Sequence, residues 1–157
     1  MEDAAQDFGA GWQGKRTGST CNLAALSFFP SKNLVCFGDA KMITAVDGEM
    51  VDLARCFRPH GGKNKYDVEH IGYNLRLDSL QAAILLVKLK YVDRWNRFRR
   101  MIALSYNVHL KDLEWLKVPE QTAGAEHVYH QYTLRMPEGR REYVQKKLKE
   151  KGISSAV

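Results

Sequence analysis

Apolar residues follow two different rhythms along this chain. Leu23-Ala24-Ala25-Leu26-Ser27-Phe28-Phe29 is a short continuous apolar run, the pattern of a buried strand, and Met42-Ile43-Thr44-Ala45-Val46 predicts a second strand. Asp47 then stands where it can cap a helix over Glu49 to Cys56. From Leu80 the period changes: Leu80, Ala83, Ile84, Val87, Tyr91, Trp95, Phe98 and Ile102 recur at three and four residues and form one apolar stripe, for which core packing is the default. Asp78 and Gln81 are spaced as a capping box at its start. Continuous to Leu110, such a helix would be about 48 Å long at about 1.5 Å per residue. Beyond it Tyr132, Leu134 and Met136 alternate as a strand, Pro137-Glu138-Gly139 marks a turn, and Arg140 to Lys151 reads as a basic amphipathic helix stopped by Gly152. Between the two halves, Gly61 to Glu69 is a polar loop whose glycines and charges suit a mobile surface or interface segment. No internal repeat or low-complexity tract is present.

Composition narrows the class. With 157 residues, 45% apolar and 27% charged, the chain falls in the ordinary globular range and can bury one core. No run approaches the roughly 18 apolar residues of a membrane helix, and no signal-peptide pattern opens the chain, which predicts a cytoplasmic protein without a membrane partner. Cys21, Cys36 and Cys56 are odd in number and lack CxxC spacing, so neither a disulfide framework nor a zinc site is indicated and buried or half-buried thiols are expected. His127 and His130 are three apart without the HExxH arrangement, which predicts packing or hydrogen-bonding roles rather than metal ligation. The net charge of +6 raises nucleic acid as a partner. Its carriers, Arg97, Arg99, Arg100, Lys146, Lys147, Lys149 and Lys151, sit on predicted helices with acidic residues interspersed. A solvated helix face explains them more simply than a phosphate-tracking stripe, and a nucleotide-sugar diphosphate would equally suit positive surface.

The sharpest chemical signal is Ser27-Phe28-Phe29-Pro30-Ser31-Lys32-Asn33, followed by Gly38-Asp39. A lysine amine becomes useful for Schiff-base formation when burial or neighbouring cations lower its pKa from about 10.4 towards roughly 7 to 8. That shift of about three units corresponds to roughly 4 kcal/mol, which a freely exposed loop does not supply. Lys32 stands just beyond the carboxyl end of a predicted buried strand, the place where open α/β sheets bind ligands. Alone, Pro-Ser-Lys is an ordinary turn.

Two further segments accompany it: Glu2-Asp3-Ala4-Ala5-Gln6, and Gly72-Tyr73-Asn74-Leu75-Arg76-Leu77-Asp78 leading into Gln81-Ala82-Ala83. With these in order, the chain resembles the DegT/StrS-type sugar aminotransferases, fold-type-I enzymes that depend on pyridoxal 5'-phosphate (PLP). The resemblance continues through Arg55-Cys56-Phe57-Arg58-Pro59-His60-Gly61, Trp95-Asn96-Arg97-Phe98-Arg99-Arg100 and His127-Val128-Tyr129-His130-Gln131-Tyr132. It implies that Lys32 is the lysine that forms the internal aldimine and shuttles the substrate proton. Asp3 would pair with the pyridine nitrogen and keep it protonated, so that the ring can absorb electrons. Gln6 would lie beside the phenolic oxygen, where an amide can donate. Ser27 would be a phosphate ligand. Asn74 would contact the phosphate of the neighbouring subunit, making a homodimer part of the site, and Arg76 would assist phosphate or substrate.

The resemblance also sets expectations for architecture and activity. It implies an α/β fold: a partial PLP-dependent transferase large domain over 1–100, then a long linking helix and the beginning of a small α+β domain over 101–157. The implied function is amino transfer, with glutamate as donor, to a keto group on a nucleotide-linked sugar, for cell-surface polysaccharide or amino-sugar biosynthesis. Related dehydratases carry histidine at the aldimine position, so lysine at 32 favours amino transfer. Two departures stand out. Ala40-Lys41 replaces the glycine pair usual after Gly38-Asp39, and Met1 stands directly before the Asp3 motif, where the family has a long preceding portion with the phosphate loop and the ring that stacks on PLP. The chain also stops at Gly152 to Val157, at what looks like the start of a strand. A fragment, retaining PLP weakly and inactive alone, is therefore expected. The alternative is a catalytically silent remnant that acts as a folded interaction or dimerisation module.

Overall fold

A computed structural model of the chain describes residues 1–62, 64 and 66–157. The first sheet has the order β1-β4-β5, built from Glu2–Ala4, Leu23–Ser27 and Lys41–Ala45. β1 and β4 run parallel, with Asp3 opposite Ala25, and β5 returns antiparallel along β4 with Ser27 opposite Lys41. The strand predicted over Leu23 to Phe29 ends two residues early: Phe28 N still donates to Ala40 O (2.8 Å), but Phe28 O accepts from Cys36 N (2.9 Å) and leaves the ladder. The second sheet joins β3 (Lys15–Arg16), β2 (Gly11–Trp12) and β6 (Ala125–Glu126), with Gln13-Gly14 as the turn between β2 and β3.

One face of β1 and β4 builds the core. Ala4, Ala24 and Leu26 point inward, and Leu26 packs in a cluster with Phe28, Leu34, Cys36, Ala40 and the helical residues Leu85 and Val92. Phe8 adds an edge-to-face contact on Phe28, at 5.8 Å between ring centroids.

The four helices among the described residues follow the signals of the chain with instructive differences. α1 (Gly48–Phe57) starts where Asp47 accepts from Glu49 N (2.9 Å), as the sequence predicts. α2 (Ser79–Leu89) starts at Asp78, which accepts from Leu80 N and Gln81 N, but no capping box forms: Gln81 Oε1 instead accepts from Phe37 N (2.7 Å). The expected continuous helix is broken at Lys90 and Tyr91 before α3 (Val92–Leu110) begins, because Lys90 closes α2 in a tightened turn onto Lys88 O. The apolar stripe does not form the core: Leu80, Val87, Tyr91, Trp95, Phe98 and Ile102 are exposed, and the buried positions on these helices are Leu85, Val92, Asn96 and Ala103. Three-and-four spacing marks an apolar face without saying which neighbour covers it.

Tyr132, Leu134 and Met136 alternate in burial with Thr133 and Arg135 but make no strand; their segment has a single bridge, Arg135 to Lys117. α4 (Arg141–Glu150) ends where Gly152 N and Ile153 N donate back to Lys149 O and Leu148 O. Cys21 is exposed, against expectation, while Cys36 and Cys56 are buried, and all three are free. Lys63 and Lys65 of the predicted polar loop lie outside the described residues; around them Gly62 bridges Val68.

The chain forms two compact units, one of Met1–Arg100 with Gln121–His130 and one of Met101–Glu120 with Gln131–Val157. Segment 121–130 belongs to the first through the pairing of β6 with β2. In the second, Tyr106 and Tyr132 pack at 5.1 Å and Arg140 lies over the Trp115 ring at 5.0 Å. No described helix is long and apolar enough to cross a membrane.

Candidate functional site

Because successive strand residues alternate sides, the register of β1 on β4 puts Asp3, Ala25 and Ser27 on the face opposite the core. Ala25 is small, so the surface between the carboxylate and the hydroxyl stays low. The strands are parallel, so their carboxyl ends lie at one edge: Gln6 follows β1 there, exposed, and Lys32 follows β4 in a turn that its own N–H closes on Phe29 O (2.8 Å). Asp3 Oδ1 accepts from Ala5 N (3.2 Å), and Ser27 Oγ accepts weakly from Phe29 N (3.4 Å). Both side chains keep further acceptor or donor capacity towards the open face.

The loop that carries Lys32 is pinned on both sides. Cys36 N donates to Phe28 O (2.9 Å), and the buried Cys36 thiol lies between Phe28 O (3.1 Å) and Gly38 O (2.8 Å). Ala40, which stands where the family usually has a glycine, is buried, and its carbonyl accepts from Phe28 N. Lys32 itself is half-buried.

Beside it stand buried amides to which the sequence assigns no role, and histidines for which it predicts packing or hydrogen bonding. The Asn33 amide donates to Asn96 Oδ1 (2.7 Å) and to Val128 O (3.1 Å), while Asn96 Nδ2 donates to Phe8 O (3.0 Å). Asn33 and Asn96 are 6% and 1% exposed, the two buried polar residues among the described core. Arg99 Nη1 reaches the carbonyls of Tyr129 (3.2 Å) and His130 (3.4 Å). Burial holds the His130 imidazole below its ordinary pKa, and the positive charges of Lys32 and Arg99 act in the same direction. His127 is lowered by burial too, and its Nδ1 accepts from Tyr129 N (2.9 Å).

At the start of the chain, Glu2 accepts from Thr20 Oγ1 (2.6 Å) and Gly18 N (2.9 Å), tying β1 to the loop that precedes β4. Burial raises the Asp7 carboxyl, with the charges of Glu2 and Asp3 adding to it, and its buried Oδ1 has no hydrogen-bond partner among the described residues. Asn33, Asn96 and Asp7 have polar or charged neighbours in the sequence, so nothing in the local pattern says that they are buried or what they face.

Asn74 stands apart. It lies in an irregular segment bridged to Pro59, and its Oδ1 accepts from Arg76 Nε (3.0 Å). Two backbones cross closely there: a Cβ on Gly72 would fall 2.0 Å from Gly61 N, so the segment is built around glycines. Asn74 is exposed, and no hydrogen bond among the described residues joins its side chain to Asp3, Gln6, Ser27 or Lys32.

Comparison with known proteins fits this arrangement. The profile of the DegT/DnrJ/EryC1/StrS aminotransferase family matches residues 1–157. A pleiotropic regulatory protein of Geobacillus stearothermophilus is 44% identical over 159 residues, covering 100% of this chain and 42% of that protein. The UDP-2-acetamido-2-deoxy-3-oxo-D-glucuronate aminotransferase of Pseudomonas aeruginosa is 41% identical, covering 100% of this chain and 43% of its own length. A crystal structure of a DegT DnrJ EryC1 StrS aminotransferase from Brucella abortus superposes with a TM-score of 0.92 at 38% identity, covering 99% of this chain and 41% of that one. The chain thus spans about two fifths of the length of these relatives, with the mixed α/β architecture of part of their fold. It belongs to the DegT/DnrJ/EryC1/StrS aminotransferase family.

Proposed function

We propose that this chain carries part of the active site of a PLP-dependent aminotransferase that moves an amino group from glutamate to a keto group on a nucleotide-linked sugar. The observation that supports it most is the parallel pairing of β1 with β4, which puts Asp3 and Ser27 on one face and brings the segments that carry Gln6 and Lys32 to one edge of the sheet. That donor set fits the cofactor: Asp3 would pair with its ring nitrogen, Gln6 would donate to its phenolic oxygen, Ser27 would hold its phosphate and Lys32 would take its aldehyde.

Bound PLP supplies an electron sink for the carbon that loses a proton. The rest falls to the chain. Asp3 would keep a proton on the ring nitrogen, the Lys32 amine would hold the cofactor and then carry a proton, and the Ser27 hydroxyl would donate to the phosphate. Asn74, whose Oδ1 is engaged by Arg76 and whose amide NH2 can still donate, would serve the phosphate of a second subunit in a homodimer. On this reading the first compact unit is the later part of the PLP-binding domain, and the second opens the small domain. A cytoplasmic setting belongs to the same proposal and is supported by three free cysteines.

Borohydride reduction in the presence of PLP, followed by peptide mass spectrometry, tests it. Label is expected at Lys32 above the other lysines, and glutamate added first is expected to divert the aldehyde and lower that label. Uniform labelling of surface lysines, insensitive to glutamate, would contradict the reading. A second reading, a catalytically silent interaction or dimerisation module, is favoured by the exposed apolar residues Leu80, Leu86, Val87 and Leu104. Glutamate-sensitive label at Lys32 would exclude it.

A further inference from the structure

The residue after Lys32 is locked in a directed chain of hydrogen bonds. Val128 O and Phe8 O can only accept, so Asn33 must turn its NH2 group to Val128 and Asn96 its NH2 group to Phe8. That leaves Asn96 Oδ1 as the acceptor for Asn33, and no flipped amide satisfies the same set. The chain joins four segments around the proposed site: the Lys32 turn, α3, the stretch leading to His130, and the loop two residues beyond Gln6. Gly9 makes room for it, since a Cβ there would lie 2.6 Å from Asn96 Nδ2. For stability alone an apolar pair would serve at least as well, because buried amides cost desolvation that their hydrogen bonds only offset. What an apolar pair lacks is direction: it would not fix the turn in one orientation.

We propose that the Asn33–Asn96 pair is a positioning device that holds the Lys32 amine in register with the Asp3 and Gln6 edge of the sheet. The proposal rests on the reading of Lys32 as the covalent lysine. Its physical basis is that reacting groups misplaced by about 1 Å lose rate on the order of a hundredfold. Asn33 and Asn96 act through Lys32 and touch neither substrate nor cofactor.

The test compares Asn33→Ala, Asn33→Ser, Asn96→Ala and Asn96→Asp with Leu85→Ala, a core truncation that leaves the pair intact. Two quantities are read: amide hydrogen exchange in peptides over 28–36 and 127–130, and the rate of borohydride trapping of PLP at Lys32 against pH. Both alanine variants at the pair should speed exchange in those peptides about tenfold and slow trapping at Lys32 about tenfold or more, at every pH. Asn96→Asp keeps an acceptor for Asn33 but turns a carboxylate oxygen onto Phe8 O, so it should slow trapping at least as much as Asn96→Ala. Asn33→Ser, which keeps a donor at that position, should fall between and serves if an alanine variant does not fold. Leu85→Ala should leave trapping unchanged. Wild-type trapping in Asn96→Ala, or equal slowing in Leu85→Ala, would overturn the positioning role. Absence of label at Lys32 in the wild type would refute the aminotransfer reading instead; exchange over 28–36 would then decide the pair alone, and an unchanged rate in Asn96→Ala would dismiss it.

Discussion

Gly9 passes so close to Asn96 that a single added carbon on its Cα would lie 2.6 Å from the Asn96 amide nitrogen. Gly9 also holds φ +85, a conformation that side chains other than glycine rarely adopt. Gly9→Ala should therefore lose about 2 kcal/mol of stability, from strain together with displacement of a buried amide. Urea denaturation checks it; a loss below about 0.5 kcal/mol would mean that the loop and helix are free to part.

Asp78 and Gln81 divide work that the sequence pattern assigned to one motif. Asp78 caps α2 through Leu80 N (2.8 Å), while Gln81 holds the loop at Phe37. Asp78→Ala should lose about 1 kcal/mol. Gln81→Ala should leave helicity by circular dichroism unchanged and speed hydrogen exchange at Phe37.

Acid should weaken the fold through two imidazoles. His127 and His130 are held below the ordinary histidine pKa, chiefly by burial, so the unfolded chain binds protons more readily than the native one. Their contribution is present above the ordinary histidine pKa and is lost as pH falls below it. The double variant His127→Gln/His130→Gln should show a flatter melting temperature between pH 7 and pH 5; a slope equal to that of the wild type would contradict this origin.

Asp7 runs the other way. Burial, with Glu2 and Asp3 beside it, raises its carboxyl, so the folded state holds the proton more tightly than the unfolded chain. Its charged form costs stability at neutral pH, and that cost fades as pH falls through the raised value. Asp7→Asn should melt higher than the wild type at pH 7, with the gap closing towards pH 4.

What was legible in the sequence is what local chemistry decides. The caps at Asp47 and Asp78, the β4 and β5 strands within a residue or two, and the stop at Gly152 all follow from side chains acting on their own backbone. What was not legible depends on partners distant in the chain. The stripe from Leu80 to Ile102 lies on the exposed side, and the buried line runs through Asn96, a residue with no apolar signature. The Tyr132 to Met136 alternation gained a single bridge and no sheet. Of the proposed site, the Asp3 to Ser27 face follows from strand register, but the clamp on Asn33 needed residues 63 and 95 positions away.

The central claim is that the Lys32 amine and the Asp3 carboxylate serve one ring. Titrating PLP into the wild type, Lys32→Ala and Asp3→Asn while recording visible spectra against pH tests it most directly. The wild type should develop the band of a lysine-bound cofactor, Lys32→Ala should show only free PLP, and Asp3→Asn should keep the band with an altered pH dependence. Identical spectra from all three proteins would contradict the account.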